Sequence, residues 1–183
     1  MASNLYLFSE PPSTCGPLLV VRPSLLPKIH LFYPSLHLTT HVLANLGTGA
    51  FKLGVNYAPG ILPQKHAAKQ GYAQNLWLHG PEHYLTEVGT MNMFVVFNKD
   101  GRHELVTPPL DGMILPGVTR DSVLTLARDH MEGKKKLDGL PGDLFVSERP
   151  VTMKEVKEAS EAGQLVELFG AGEYYIALLA DEF

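Results

Sequence analysis

The chain has 183 residues, enough for one domain with a buried core or for two small ones. Hydrophobic residues make up 45 % and charged residues 19 %, which excludes wholesale disorder. A formal net charge of −4 leaves no basic field for nucleic acid or anionic lipid, and the single cysteine excludes a disulfide framework or a multi-thiolate zinc site.

Residues 1–46 hold six prolines, few charges and no sustained period of 2 or 3.6 residues, so they predict strands or loops needing cover from elsewhere. Arg22 and Lys28 are too few for an Arg-rich transit peptide, and no positive region precedes an apolar stretch as in a secretory signal. The apolar runs, such as residues 17–21, fall far short of the ~20 residues a spanning helix needs. The expectation is a soluble intracellular domain, cytoplasmic or mitochondrial, without membrane or nucleic-acid partners.

From Gly47 the text becomes regular. Ala58–Lys69 reads as a helix closed by Gly71, and Asn75–His79 as a strand before a turn at Gly80-Pro81. Met93–Phe97 and His103–Thr107 flank Asp100-Gly101, a strong hairpin signal. Val118–Met131 predicts an amphipathic helix with Val123, Leu126, Ala127 and Met131 on its apolar stripe. Thr152-Met-Lys-Glu155 is a capping box opening a last helix, with Val156 and Ala159 inward, and Leu165–Phe169 is a further strand. No repeat appears. Strand pairs mixed with single helices predict an α/β or α+β domain.

Four clusters could carry chemistry. Lys52-Leu-Gly-Val-Asn-Tyr57 follows Gly47-Thr-Gly49, and a lysine among glycines can approach a planar aldehyde closely enough to form a Schiff base. Taken alone, the commoner reading is a surface lysine beside a turn. Thr86–Phe94 puts Glu87 and Thr90 near a strand end, where a buried carboxylate would need a cation such as a pyridinium nitrogen. Otherwise it is an exposed acidic turn. Leu115-Pro-Gly-Val-Thr-Arg120 runs into the amphipathic helix, so Gly117, Val118 and Thr119 present free N–H groups to an anion. A plain Pro-assisted helix start is the bland alternative. Phe169-Gly-Ala-Gly172 is either a second phosphate-contacting turn or a loop. His37 and His41 lack a helical pattern and a third ligand, so no metal site is expected. Lys134-Lys-Lys136 reads as a solvated loop, and motifs of serine hydrolases and dinucleotide enzymes are absent. Together the first three clusters ask for a flat, phosphate-bearing aldehyde with a protonatable ring nitrogen, and pyridoxal 5′-phosphate has all three features.

Residues 52–57, 86–92, 105–112 and 114–120 resemble the class IV aminotransferases, and their wording is closest to eukaryotic branched-chain amino acid aminotransferases. The class signature runs from Glu87 through Asn92 and Phe94 to Leu105-x-Thr107 and Leu115-x-Gly117-x-x-Arg120. The resemblance implies fold type IV, the D-amino acid aminotransferase-like fold, and covers only its larger C-terminal domain. It implies that Lys52 binds the cofactor and moves the proton, that Tyr57 meets the phenolic oxygen and that Glu87 pairs with the pyridine nitrogen. Val118 and Thr119 would take the phosphate, and Thr90 would line the substrate side. The implied reaction is transamination of leucine, isoleucine or valine with 2-oxoglutarate by a homodimer.

By the same resemblance, residues 1–46 form a divergent segment without a family match, and residues 47–183 a cofactor domain truncated at its C-terminal end. Family members bring an arginine to the phosphate and substrate-binding residues from an N-terminal domain. Where they read Gly-Ser-Gly-Thr-Ala, this chain has Gly170-Ala-Gly-Glu-Tyr174. A Glu173 carboxylate 4 Å from a phosphate would cost about 4 kcal/mol at an effective dielectric near 20. A helix N-terminus offsets only about 0.3–2 kcal/mol of that. The alternatives are a catalytically impaired fragment that pairs with a full-length homologue, or another fold type IV enzyme, a D-amino acid aminotransferase or an aminodeoxychorismate lyase.

Overall fold

A computed structural model describes residues 28–32, 51–70, 72–172 and 176–178. Gly47–Gly49, Gly71, Glu173 and the pair His37 and His41 lie outside the described residues. The chain runs β1 (Lys28–Phe32), a 3-10 turn (Gly54–Tyr57), α1 (Ala58–Lys69), β2 (Tyr72–His79), β3 (Tyr84–Val88), β4 (Met91–Lys99) and β5 (Arg102–Thr107). It continues as α2 (Val118–Met131), β6 (Phe145–Glu148), α3 (Met153–Glu161), β7 (Leu165–Ala171) and β8 (Ile176–Leu178).

The strands form one mixed sheet in the order β1-β2-β3-β4-β5-β6, with β7 paired to β4 and β8 to β7. The β4–β5 hairpin turns where Asp100-Gly101 foretold it, with both residues at positive φ, 53° and 77°. Strand β6 pairs parallel to β5, which requires the crossover through α2. The pairs Glu87↔Asn92 and Val95↔Val106 put β3 and β5 on one edge of β4, while β7 covers the other edge from Asn92↔Ala171 to Phe97↔Leu165. The sheet therefore forks at Met93 and Phe94, between the last residues of β3 and the last residues of β5. The Met93 carbonyl exposed by the fork accepts the Thr107 hydroxyl at 2.6 Å.

Strand β4 is buried along most of its length, as a central strand must be. Phe94 stacks on Phe169 of β7 with ring centroids 5.0 Å apart and planes 8° from parallel. Phe97, Leu105, Val106, Val123, Leu124, Val156, Ala159 and Leu168 complete the core around them. Burying each large apolar side chain contributes roughly 1.5–3 kcal/mol.

The buried stripe of α2 is Arg120, Val123, Leu124 and Ala127, with Leu124 fully buried where Leu126 was expected and Leu126 half-buried. Met131, expected on that stripe, is the last residue of the helix and is 46 % exposed. In α3 the capping box is half made: Thr152 Oγ1 accepts the Glu155 N–H at 3.1 Å, and Val156 and Ala159 are buried as expected. The Glu155 carboxylate instead bridges Arg149 and Lys99. No helix among the described residues is long and apolar enough to cross a membrane.

Candidate functional site

The fork is filled by the β3–β4 hairpin and the loop that leads into α2. The hairpin turns at Gly89, whose φ is +57°. Its N–H donates to the Asn75 carbonyl and its carbonyl accepts Trp77 Nε1, both at 2.8 Å. A Cβ there would lie 2.3 Å from Gln74 Oε1, so a side chain at this left-handed position would also displace Gln74, and glycine suits the turn. Thr86 Oγ1 donates to the Trp77 carbonyl at 2.9 Å and completes the stitching.

This leaves Glu87 buried, at 9 % exposure, directly opposite Asn92. Its Oε1 accepts the Leu115 N–H at 3.1 Å and lies 3.5 Å from Asn92 Nδ2. Burial pushes the carboxyl up to about 7, against the smaller opposing pull of the Leu115 N–H. No ion pair reaches Glu87 among the described residues. A buried acid held near neutrality without a counter-ion is a site prepared for a cation.

Asn92 Nδ2 also donates to the Leu115 carbonyl at 2.9 Å, so the Glu87–Asn92 pair grips Leu115 by its N–H and its C=O. Two residues on, Gly117 caps α2 in an extended conformation, and no side chain bonds the helix start. The N–H groups of Val118, Thr119 and Arg120 have no partner within the helix, which makes the start a place for an anion. Val118 is 80 % exposed there. Arg120, the last signature residue, turns away from this end. It is buried and donates to the Pro108 carbonyl at 3.0 Å and to Glu148 Oε2 at 2.6 Å. Arg128 takes the other oxygen of Glu148, and these two guanidiniums, Arg128 first, hold that carboxyl below its usual range.

The structure thus joins Glu87 to the start of α2, with Thr90 exposed at the hairpin tip three residues from Glu87. Lys52 and Tyr57 belong to another segment, residues 51–58. It is tied by Asn56 Nδ2 to the Phe51 carbonyl at 2.8 Å and carried on α1, which packs on β2. Lys52 is exposed, and Tyr57 is half-buried as the residue before α1. Gly170 lies inside β7 and not in a turn. A Cβ on it would meet Val88 Cγ1 at 2.7 Å, and one on Gly172 would meet Met91 Cγ at 2.9 Å. Those glycines admit β7 against the hairpin. Among the described residues no cluster of three or more His, Cys, Asp or Glu could hold a metal.

The sequence reading gave no role to Asn92 or to the Leu115 peptide. A usable signal was present: Glu and Asn five apart around a glycine turn must face each other across a two-residue hairpin.

A family model described as amino-transferase class IV matches residues 31–165. Over 127 residues the chain is 57 % identical to the mitochondrial branched-chain-amino-acid aminotransferase of Schizosaccharomyces pombe, covering 69 % of this chain and 28 % of that protein. It is 60 % identical over 128 residues to the mitochondrial enzyme of that name from Saccharomyces cerevisiae, covering 69 % and 30 %. The chain thus spans about three-tenths of the length of the curated relatives it matches. Among solved structures it is similar to the branched-chain amino acid aminotransferase of Escherichia coli, with a TM-score of 0.53, 27 % identity, and 72 % and 36 % of the two chains covered. It is also similar to that of Thermobaculum terrenum in its PLP-form, with a TM-score of 0.53, 29 % identity, and 73 % and 36 % covered.

Proposed function

The chain belongs to the amino-transferase class IV family, and on that premise we propose that it supplies the pyridoxal phosphate site of a branched-chain amino acid aminotransferase. The observation that carries the reading is the Glu87–Asn92–Leu115 arrangement. A buried carboxyl with no ion-pair partner among the described residues is fastened to a helix start whose N–H groups suit an anion, and pyridoxal phosphate offers a ring nitrogen to one and a phosphate to the other. The residues present fit that group.

When bound, the cofactor supplies an electron sink for the bonds at the amino acid Cα. Glu87 holds a proton at the ring nitrogen by pairing with it as the carboxylate. The N–H groups of Val118 and Thr119 orient the phosphate, and the Thr119 hydroxyl adds a donor. Tyr57 donates to the phenolic oxygen. Lys52 would hold the cofactor at its aldehyde carbon, and its amine, once displaced by the substrate amine, would move the proton at the amino acid Cα. Thr90, at the hairpin tip, lines the side from which leucine, isoleucine, valine or a 2-oxo acid enters.

Phe51, Val55, Ile61 and Leu62 are each more than half exposed on the segment that carries Lys52 and Tyr57. Such exposure supports a paired form, either two copies of this chain or this chain with a longer homologue. The compartment follows the relatives, mitochondrial or cytosolic.

The test is to incubate the purified chain with pyridoxal phosphate, reduce it with borohydride and map the adduct. Modification of Lys52 in the wild type, weakened in Glu87→Ala, is the expected result. Failure to label Lys52 at millimolar cofactor would overturn the reading.

A further inference from the structure

We propose that Asn92 is a positioning residue that sets the spacing between the two ends of the cofactor site by fixing the Leu115 peptide. This deepens the reading above and rests on it. Leu115 is gripped twice, its N–H by Glu87 at 3.1 Å and its C=O by Asn92 Nδ2 at 2.9 Å, from residues directly opposite each other on the hairpin. The amide nitrogen must face the Leu115 carbonyl to donate, which turns Asn92 Oδ1 toward Gly117. A Cβ on Gly117 would lie 2.1 Å from that oxygen. Asn92 therefore locates the α2 start by a hydrogen bond on one atom and by shape on the other. It is 6 % exposed, too buried to touch a ligand freely. The 3.5 Å approach of Nδ2 to Glu87 is a weak contact, so the Leu115 bond carries the role. Without it, a helix start that should take a phosphate could drift relative to a carboxylate that should take the ring nitrogen. A loss of orientation on that scale weakens binding of a ligand that must reach both.

The test compares the wild type with Asn92→Leu, which keeps the approximate shape and removes the donor without adding a charge beside Glu87. Asn92→Ala, Gly117→Ala and the Asn92→Ala/Gly117→Ala double variant complete the set. In the cofactor-free protein, amide hydrogen exchange at Leu115 should accelerate about tenfold in Asn92→Leu and Asn92→Ala, the size of one lost buried hydrogen bond. Protection at Val95 and Leu168 should persist and so report that the core is intact. The ratio of affinities for pyridoxal phosphate over phosphate-free pyridoxal should fall about tenfold, a change that general loosening would not produce. Gly117→Ala should impair the wild type but add nothing once Asn92 is alanine. Unchanged Leu115 exchange, an unchanged affinity ratio, or simple additivity in the double variant would each overturn the proposal. If the wild type binds neither pyridoxal compound, the cofactor reading fails by itself, and Leu115 exchange with the Gly117 cycle still decides the role of Asn92.

Discussion

Glu87 and Glu104 are both buried acids of this sheet, and their surroundings push them in opposite directions. Glu104, 4 % exposed, takes Arg149 through two bonds of 2.8 and 2.9 Å and Lys99 at 3.0 Å. Arg149 foremost holds it at about 2, against an ordinary value of 4.5. Its contribution to stability is present above pH 4.5 and is lost as pH falls toward 2. Among the described residues Glu87 has only the Leu115 N–H and the long Asn92 contact, and burial raises it from 4.5 to about 7. Its neutral form is the stable one, so stability present below pH 4.5 is lost as pH rises to 7. At about 1.4 kcal/mol per pH unit across that window, the ionised form costs on the order of 3 kcal/mol. Glu87→Gln should match the wild type below pH 4.5 and exceed it by roughly 2–3 kcal/mol at pH 8 in the cofactor-free protein. Urea unfolding at pH 4, 6 and 8 measures this. An advantage independent of pH would mean that the carboxyl is solvated. The same substitution removes the counter-charge for the ring nitrogen, so stability and cofactor retention should move in opposite directions.

At the scale of elements, the close approach of β7 to the β3–β4 turn depends on Gly170 having no side chain. A methyl there meets Val88 and Met91 inside the core, and overpacking of that kind costs about 1–3 kcal/mol. Gly170→Ala should therefore lower the melting temperature by several degrees. Gly142→Ala, where a Cβ meets nothing within 4 Å, should leave it unchanged. Equal melting of the two variants, read by calorimetry, would show that the turn yields freely. Sequence patterns reveal the elements whose signals are local. The Asp100-Gly101 hairpin, the periodicity of α2 and the Thr152 cap all lie within a few residues of what they specify. Strand β6 escapes because Phe145–Glu148 is short, half-buried and parallel to β5, so no turn announces it. Gly170 suggests a strand end at Phe169 because its reason lies across the sheet, in Val88 and Met91. Likewise, Glu87 and Val118–Thr119 are legible as separate clusters. Their connection is not, since it passes through the backbone of Leu115, and main-chain hydrogen bonds leave no mark on side-chain identity.

For the molecule as a whole, residues 51–62 expose four apolar side chains, Phe51, Val55, Ile61 and Leu62, by 56 to 66 %. Large exposed apolar patches mark association sites. The pair Ile61→Lys and Leu62→Lys should shift the chain toward slower-sedimenting species in analytical ultracentrifugation. Stability should change by no more than about 0.5 kcal/mol, as expected for exposed positions. Sedimentation identical to the wild type would remove those side chains as the contact. The fork at Met93–Phe94 has a further consequence, in the order of synthesis. The β3–β4 and β4–β5 hairpins lie close along the chain and can form once Thr107 has left the ribosome, but both occupy the same edge of β4. The other edge, along Asn92–Phe97, waits for β7, which emerges only after α2, β6 and α3. For that interval β4, buried along most of its length in the native sheet, offers a bare apolar edge, a template for pairing with another nascent chain. The arrangement that gives one edge of β4 two partners in the finished protein thus gives the unfinished one its most vulnerable moment.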